Sequence, residues 1–170
     1  LDWDEADRIG RDRNAAHAGN STPRFFADPD EEDRIGARGE MCFATAFGLD
    51  VDRAVRVNGD EGVDFRVCFG ARAMTIDVKT FRNPIHLLVK QAELVRGAGA
   101  DVYVLAHCDR DAIVLVGWET RSIMALMPVA EFGYGIVSHY RLRDELRPMA
   151  QLLNLLAMRS RTAAVLGGAS

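Results

Sequence analysis

The stretch that decides the fold runs from Asn58 to Thr80, NGDEGVDFRVCFGARAMTIDVKT. It reads as a turn, a strand, a tight turn and a second strand. Val63 to Phe69 and Arg72 to Thr80 are rich in β-branched and apolar residues, with Gly70-Ala71 between them. A two-residue loop with Gly first fits a type II′ hairpin turn. Phe69 then faces Arg72, and stepping back along both strands sets Asp64 opposite Asp77. Side chains alternate along a strand, so Asp77 and Lys79 share one face while Met74, Ile76 and Val78 point to the other. Carboxylates on facing residues have Cβ atoms about 4.5–5.5 Å apart, where like charges destabilise the pair. Something cationic must compensate. A divalent metal between the carboxylates, with Lys79 beside them, is the economical answer; a surface hairpin with a solvated Asp–Lys pair is the plainer one.

Lysine usage sharpens the choice. Of 21 basic residues only Lys79 and Lys90 are lysines. A chain so biased to Arg has Arg at 79 if any cation serves there. Lys is a compact point charge, whereas Arg is a planar fork, so position 79 calls for an ammonium.

Asp64 followed by Asp77-Val78-Lys79 resembles the signature of the PD-(D/E)xK nuclease superfamily, on the hairpin where that superfamily carries it. The dipeptide PD is absent, because Val63 precedes Asp64. The resemblance spans roughly Arg34 to Thr120, about half the chain. It implies an α/β fold with a restriction-endonuclease-like core, a central mixed β-sheet flanked by helices. It also implies a helix before the sheet whose acid joins the metal site, and Glu40 matches that place. Glu40, Asp64, Asp77 and the backbone carbonyl of Val78 would then hold one or two Mg²⁺ or Mn²⁺ ions, hard cations that prefer oxygen ligands. Lys79 would orient the attacking water or offset charge on the phosphate. The implied activity is phosphodiester hydrolysis, with DNA as the partner, branched and single-stranded forms included. Some members carry Gln-x-x-x-Tyr on the helix after the hairpin; here Gln91 is followed by Val95.

The residues around Glu40 support an inward carboxylate on their own. Glu31 to Gly48 has a helical pattern, acidic at its start and ended by Gly. Phe43 and Phe47 lie on the face of Glu40, so that face packs inward. A buried charge is costly unless paired or bound to metal. Gly36 and Gly39 permit a close helix–sheet approach. Asp60 and Glu61 are further candidate ligands that turn chemistry explains as well.

The flanks complete the layout. Residues 1–33 read as an N-terminal helical arm, packed loosely through Trp3 and Ile9, and residues 34–170 as the main domain. Arg8, Arg11 and Arg13 on the arm are candidate phosphate contacts. Arg53 to Val57 suggests a first strand. Asn83-Pro84 suggests a helix start, with the helix running to Gly97 and burying Leu87, Leu88, Leu94 and Val95. Asp101–His107 and Ala112–Trp118 read as strands. Phe132-Gly133-Tyr134-Gly135 is a loop and Ser138–Leu142 a short strand. Asp144 then caps a long C-terminal helix that either packs against the sheet or forms a homodimer contact.

Composition bounds the function. At 170 residues, 48% apolar and 27% charged, the chain suits a single domain with a real core. No apolar run reaches the ~18 residues of a bilayer span. The net charge of −4 argues against bulk electrostatic coating of nucleic acid. Residues 1–79 carry 17 acidic and 11 basic residues, against 5 and 7 over 110–170. Phosphate contact would fall to arginines such as Arg141, Arg143 and Arg147. Cys42, Cys68 and Cys108 read as buried thiols in a reducing compartment, which makes the cytoplasm the expected location. The alternative function is a catalytically inactive nucleic-acid-binding or scaffolding module on the same fold. A carboxylate-pair sugar hydrolase has no use for a lysine two residues from Asp77.

Overall fold

The central hairpin forms as its residues dictate. The computed structural model describes residues 2–17, 29–50, 62–69, 72–95, 99–110, 112–133 and 135–157. Strand β1 (Phe65–Phe69) pairs antiparallel with β2 (Arg72–Phe81), from Phe69 opposite Arg72 to Phe65 opposite Ile76. That is the register a two-residue turn imposes. The turn Gly70-Ala71, the expected strand Arg53–Val57, Asp60 and Glu61 lie outside the described residues.

Strand β2 also pairs parallel with β4 (Val102–Asp109), which pairs antiparallel with β5 (Ala112–Thr120). The result is a mixed four-stranded sheet in the order β1-β2-β4-β5. The parallel pair needs a crossover. It runs through β3 (His86–Lys90) and a short helix α3 (Gln91–Val95), not through the single helix expected from Asn83. The run HLLVK is short enough to suit helix or strand. The strand Val137–Leu142 (β7) decides it by offering an antiparallel ladder, and Val129–Glu131 (β6) adds a third strand. Leu87 and Val89 then face the core while His86, Leu88 and Lys90 are half-buried, a period of two; Val95 is exposed.

Helix α2 (Pro29–Phe47) covers one face of the main sheet. Gly48, at φ +63°, terminates it. Phe43 is fully buried, stacks on Phe47 at 4.3 Å and meets Phe65 at 5.1 Å. Residues 149–157 are helical and bury Leu152 and Leu156 in the same core, so this segment packs on the sheet. Asp144 does not cap it. Arg143–Glu145 forms a 3-10 turn, and the helix starts after Pro148, whose carbonyl accepts from Gln151 N–H at 2.9 Å. Reciprocal 3.0 Å bonds between Arg147 and Trp118 hold the preceding chain extended, out of the helix.

The N-terminal arm is docked firmly rather than loosely. Ala6 and Ile9 of α1 (Trp3–His17) form a buried cluster with Ala37 and Met41 of α2. A Cβ on Gly10 would stand 2.7 Å from Arg34 Cα, so only glycine allows this approach. Arg38 forks onto Asp7 at 2.6 and 2.8 Å and lies over the Trp3 ring. The hydrogen bond from Arg38 holds the Asp7 carboxyl below its ordinary range despite desolvation. The stabilisation is therefore present above the usual Asp pKa and lost as pH falls through the lowered one. Cys108 is buried and Cys42 half-buried, but Cys68 is exposed because it points outward from β1. Among the described residues, no helix is long and apolar enough to cross a membrane.

Gly39 sets the distance between α2 and the sheet. A Cβ there would stand 1.9 Å from Thr80 Oγ1, whereas one on Gly36 would meet nothing within 4 Å. Gly39→Ala should therefore cost about 2–3 kcal/mol by overpacking. Gly36→Ala should be neutral or stabilise by up to about 1 kcal/mol through helix propensity. Urea unfolding of the two variants checks this, and equal midpoints would refute it.

Candidate active site

The site forms where β1 leaves β2. Asp64 is the bend residue: its N–H bonds the Ile76 carbonyl at 2.9 Å, and its Oδ2 accepts from the Val78 N–H at 2.7 Å. The carboxylate thus caps β2 just past the ladder's end. It does not simply face Asp77 across a continued ladder, as the register alone suggested.

A cavity of about 270 Å³ lies beside this bend, and Glu40, Asp64, Asp77, Val78 and Lys79 all line it. Helix α2 delivers Glu40, and β2 delivers Asp77 and Lys79. Glu40 and Asp77 are both buried, at 6% and 3% exposure. Gly62 sits above the acids at φ +72°, where a Cβ would lie 3.8 Å from Asp77 Oδ2.

Side chains offset part of the carboxylate charge. Lys79 Nζ lies 2.6 Å from Asp77 Oδ2 and 3.3 Å from Glu93 Oε2. Burial alone would lower the Lys79 pKa, but the two carboxylates outweigh it and raise it well above the ordinary lysine range. Arg13, on α1, forks onto both oxygens of Glu40 at 2.6 and 2.9 Å. Lys90 also lines the cavity, so the chain's two lysines meet in one place. Tyr103, the β4 neighbour of Asp77, is fully buried with its hydroxyl against Gly99. Its pKa is pushed up by burial, then by Asp77 and Glu93.

Sequence reasoning missed Glu93, Lys90 and Tyr103. Lysine scarcity was a usable signal for Lys90; Glu93 and Tyr103 carry none, because a strand crossover and a neighbouring strand bring them in. Arg13, a candidate phosphate contact by sequence, meets a carboxylate. Two other candidate phosphate-binding arginines are engaged elsewhere: Arg141 and Arg147 both pair with the buried Glu119, and Arg147 lies over Trp118. Arg143 is exposed beside Asp144. Trp118 is a packing residue, buried with its indole N–H on the Pro148 carbonyl at 3.1 Å.

An all-oxygen donor set of Glu40, Asp64 and Asp77 suits a hard divalent cation. Five acids line the cavity (Glu32, Asp33, Glu40, Asp64, Asp77) against three cations (Arg13, Lys79, Lys90), so its lining is net acidic. Among the described residues, no three acidic, His or Cys side chains converge closely enough to hold a metal ion. The donor chemistry fits. The observed arrangement places Arg13 and Lys79 on the carboxylates such an ion would use.

No family model, curated protein or solved structure matches the chain.

Proposed function

We propose that this chain is a Mg²⁺- or Mn²⁺-dependent nuclease that hydrolyses phosphodiester bonds of DNA on a restriction-endonuclease-like core, in the cytoplasm. One observation carries the reading: Glu40 from α2 lines one cavity with Asp64, Asp77 and Lys79 of the hairpin, with the Lys79 ammonium 2.6 Å from Asp77. Glu40, Asp64, Asp77 and the Val78 carbonyl are the groups that would hold the metal. When bound, the metal would supply Lewis acidity and a water acidified toward neutral pH. Lys79 keeps a compact ammonium fixed between Asp77 and Glu93, with N–H donors for a water or a phosphate oxygen. Asp64 ties the bend to β2, keeping the cavity mouth next to that ammonium.

Incubation with linear, circular, single-stranded and branched DNA, in Mn²⁺ and in EDTA, tests the reading. Cleavage is expected in Mn²⁺ and not in EDTA; intact DNA in every Mn²⁺ lane would overturn it. A second reading, an inactive nucleic-acid-binding module, draws on the Arg13 fork that occupies both Glu40 oxygens. It expects salt-sensitive DNA binding without cleavage.

Metal binding has its own check. Millimolar Mn²⁺ should raise the Tm of the wild type, and Asp64→Asn should shrink that rise. Asn keeps an acceptor for the Val78 N–H, so the bend survives while the charge goes. Equal shifts in both proteins would remove Asp64 from the metal site.

A further inference from the structure

We propose that Arg13 is a further residue of this site: it holds Glu40 until a divalent cation takes that carboxylate, and its guanidinium then binds the substrate phosphate. Both halves rest on the metal-dependent nuclease reading; the Arg13–Glu40 contact they start from rests on geometry.

The contact is a fork on a carboxylate, with Nη1 and Nη2 at 2.6 and 2.9 Å from the two Glu40 oxygens. Both side chains are largely buried, at 16% and 8% exposure. Charge-assisted bidentate pairs are the strong class of hydrogen bond. A cation that ligates Glu40 meets the guanidinium on the same two oxygens, and two positive groups at that distance repel. One must leave.

The pairing is built into the fold. Helix α1 is seated on α2 by Ala6 and Ile9, and by the glycine contact at Gly10. Arg13 therefore reaches the cavity from a fixed backbone. A long side chain can change partner there while its helix stays docked.

Its chemistry suits the second partner. A planar fork matches a phosphate as well as a carboxylate, and Arg13 lines the same cavity as Lys79. Lys79 is tied to Asp77 and Glu93. A displaced Arg13 adds a bidentate phosphate donor that the ammonium cannot supply.

The test measures Mn²⁺ affinity by titration calorimetry on the full chain, and DNA affinity against salt with Ca²⁺ as the cation. Arg13→Gln should tighten Mn²⁺ binding about tenfold, the scale of one charge-assisted contact. The same change in a Glu40→Gln background should have no effect on Mn²⁺. Arg13→Lys keeps the charge beside Glu40 without the fork and should fall between wild type and Arg13→Gln. It carries the test if Arg13→Gln folds poorly. In Ca²⁺, Arg13→Gln should weaken DNA binding and reduce the salt slope by about one. Unchanged or weaker Mn²⁺ binding in Arg13→Gln would overturn the proposal, and an unchanged DNA slope would overturn its phosphate half. If the Mn²⁺ ordering holds but no DNA is cut, the nuclease reading fails and the competition at Glu40 stands.

Discussion

Lys79→Arg is expected to fold, to bind Mn²⁺, and to cut DNA at least about a hundredfold more slowly, the scale of a lost transition-state contact. The ammonium fits between Asp77 Oδ2 at 2.6 Å and Glu93 Oε2 at 3.3 Å in a cavity of about 270 Å³. A guanidinium is longer and flat, so it would reach past this position into the space a water or phosphate needs. Lys79→Ala should be no more active than Lys79→Arg. The raised pKa adds a pH expectation. Its stabilisation is complete below the ordinary lysine pKa of about 10.4 and is lost only as pH rises through the still higher folded value. Melts of the metal-free wild type should then show no loss of stability from Lys79 deprotonation anywhere below about pH 10. Single-turnover rates at saturating Mn²⁺, with thermal melts as folding controls, check the first point, and the melts across pH the second. A wild-type rate in Lys79→Arg would reduce Lys79 to a charge balancer.

Glu119→Gln is expected to cost about 1–3 kcal/mol of stability, the scale of charge-assisted hydrogen bonds lost at a buried carboxylate whose arginine partners stay partly exposed. Glu119 is 1% exposed on β5. Its Oε2 pairs with Arg141, and its Oε1 accepts from Arg147 at 3.1 Å and from the Thr120 N–H at 2.8 Å. Gln keeps the shape and a carbonyl for Thr120 but leaves two guanidinium groups without their carboxylate. The cluster joins β5 to β7 and to the chain entering the terminal helix, so its loss should loosen both. Denaturant unfolding measures the cost; a change below about 1 kcal/mol would show that water compensates the arginines. Arg141→Ala should likewise lower stability and leave the salt dependence of DNA binding unchanged.

The hairpin was legible because its information is local. A two-residue turn and a strand's period of two fix the pairing of Phe65 to Phe69 with Arg72 to Ile76, and with it the shared face of Asp77 and Lys79. Helix α2 was legible for the same reason: Phe43 and Phe47 mark its inner face, which made Glu40 a buried carboxylate before any contact was known. What failed were inferences that needed a partner. HLLVK is a strand because β7 lies beside it, and Cys68 is exposed because nothing covers its face of β1 among the described residues. The cations followed the same rule. By itself the sequence determined which residues are carboxylates and lysines, and which local element and face carries each, since turn geometry and periodicity act within about ten residues. Only the tertiary structure decided that Arg13, from a helix 27 residues upstream, sits on Glu40, and that the crossover brings Glu93 to Lys79. Such pairings depend on how separate elements pack, and no spacing within one element encodes that.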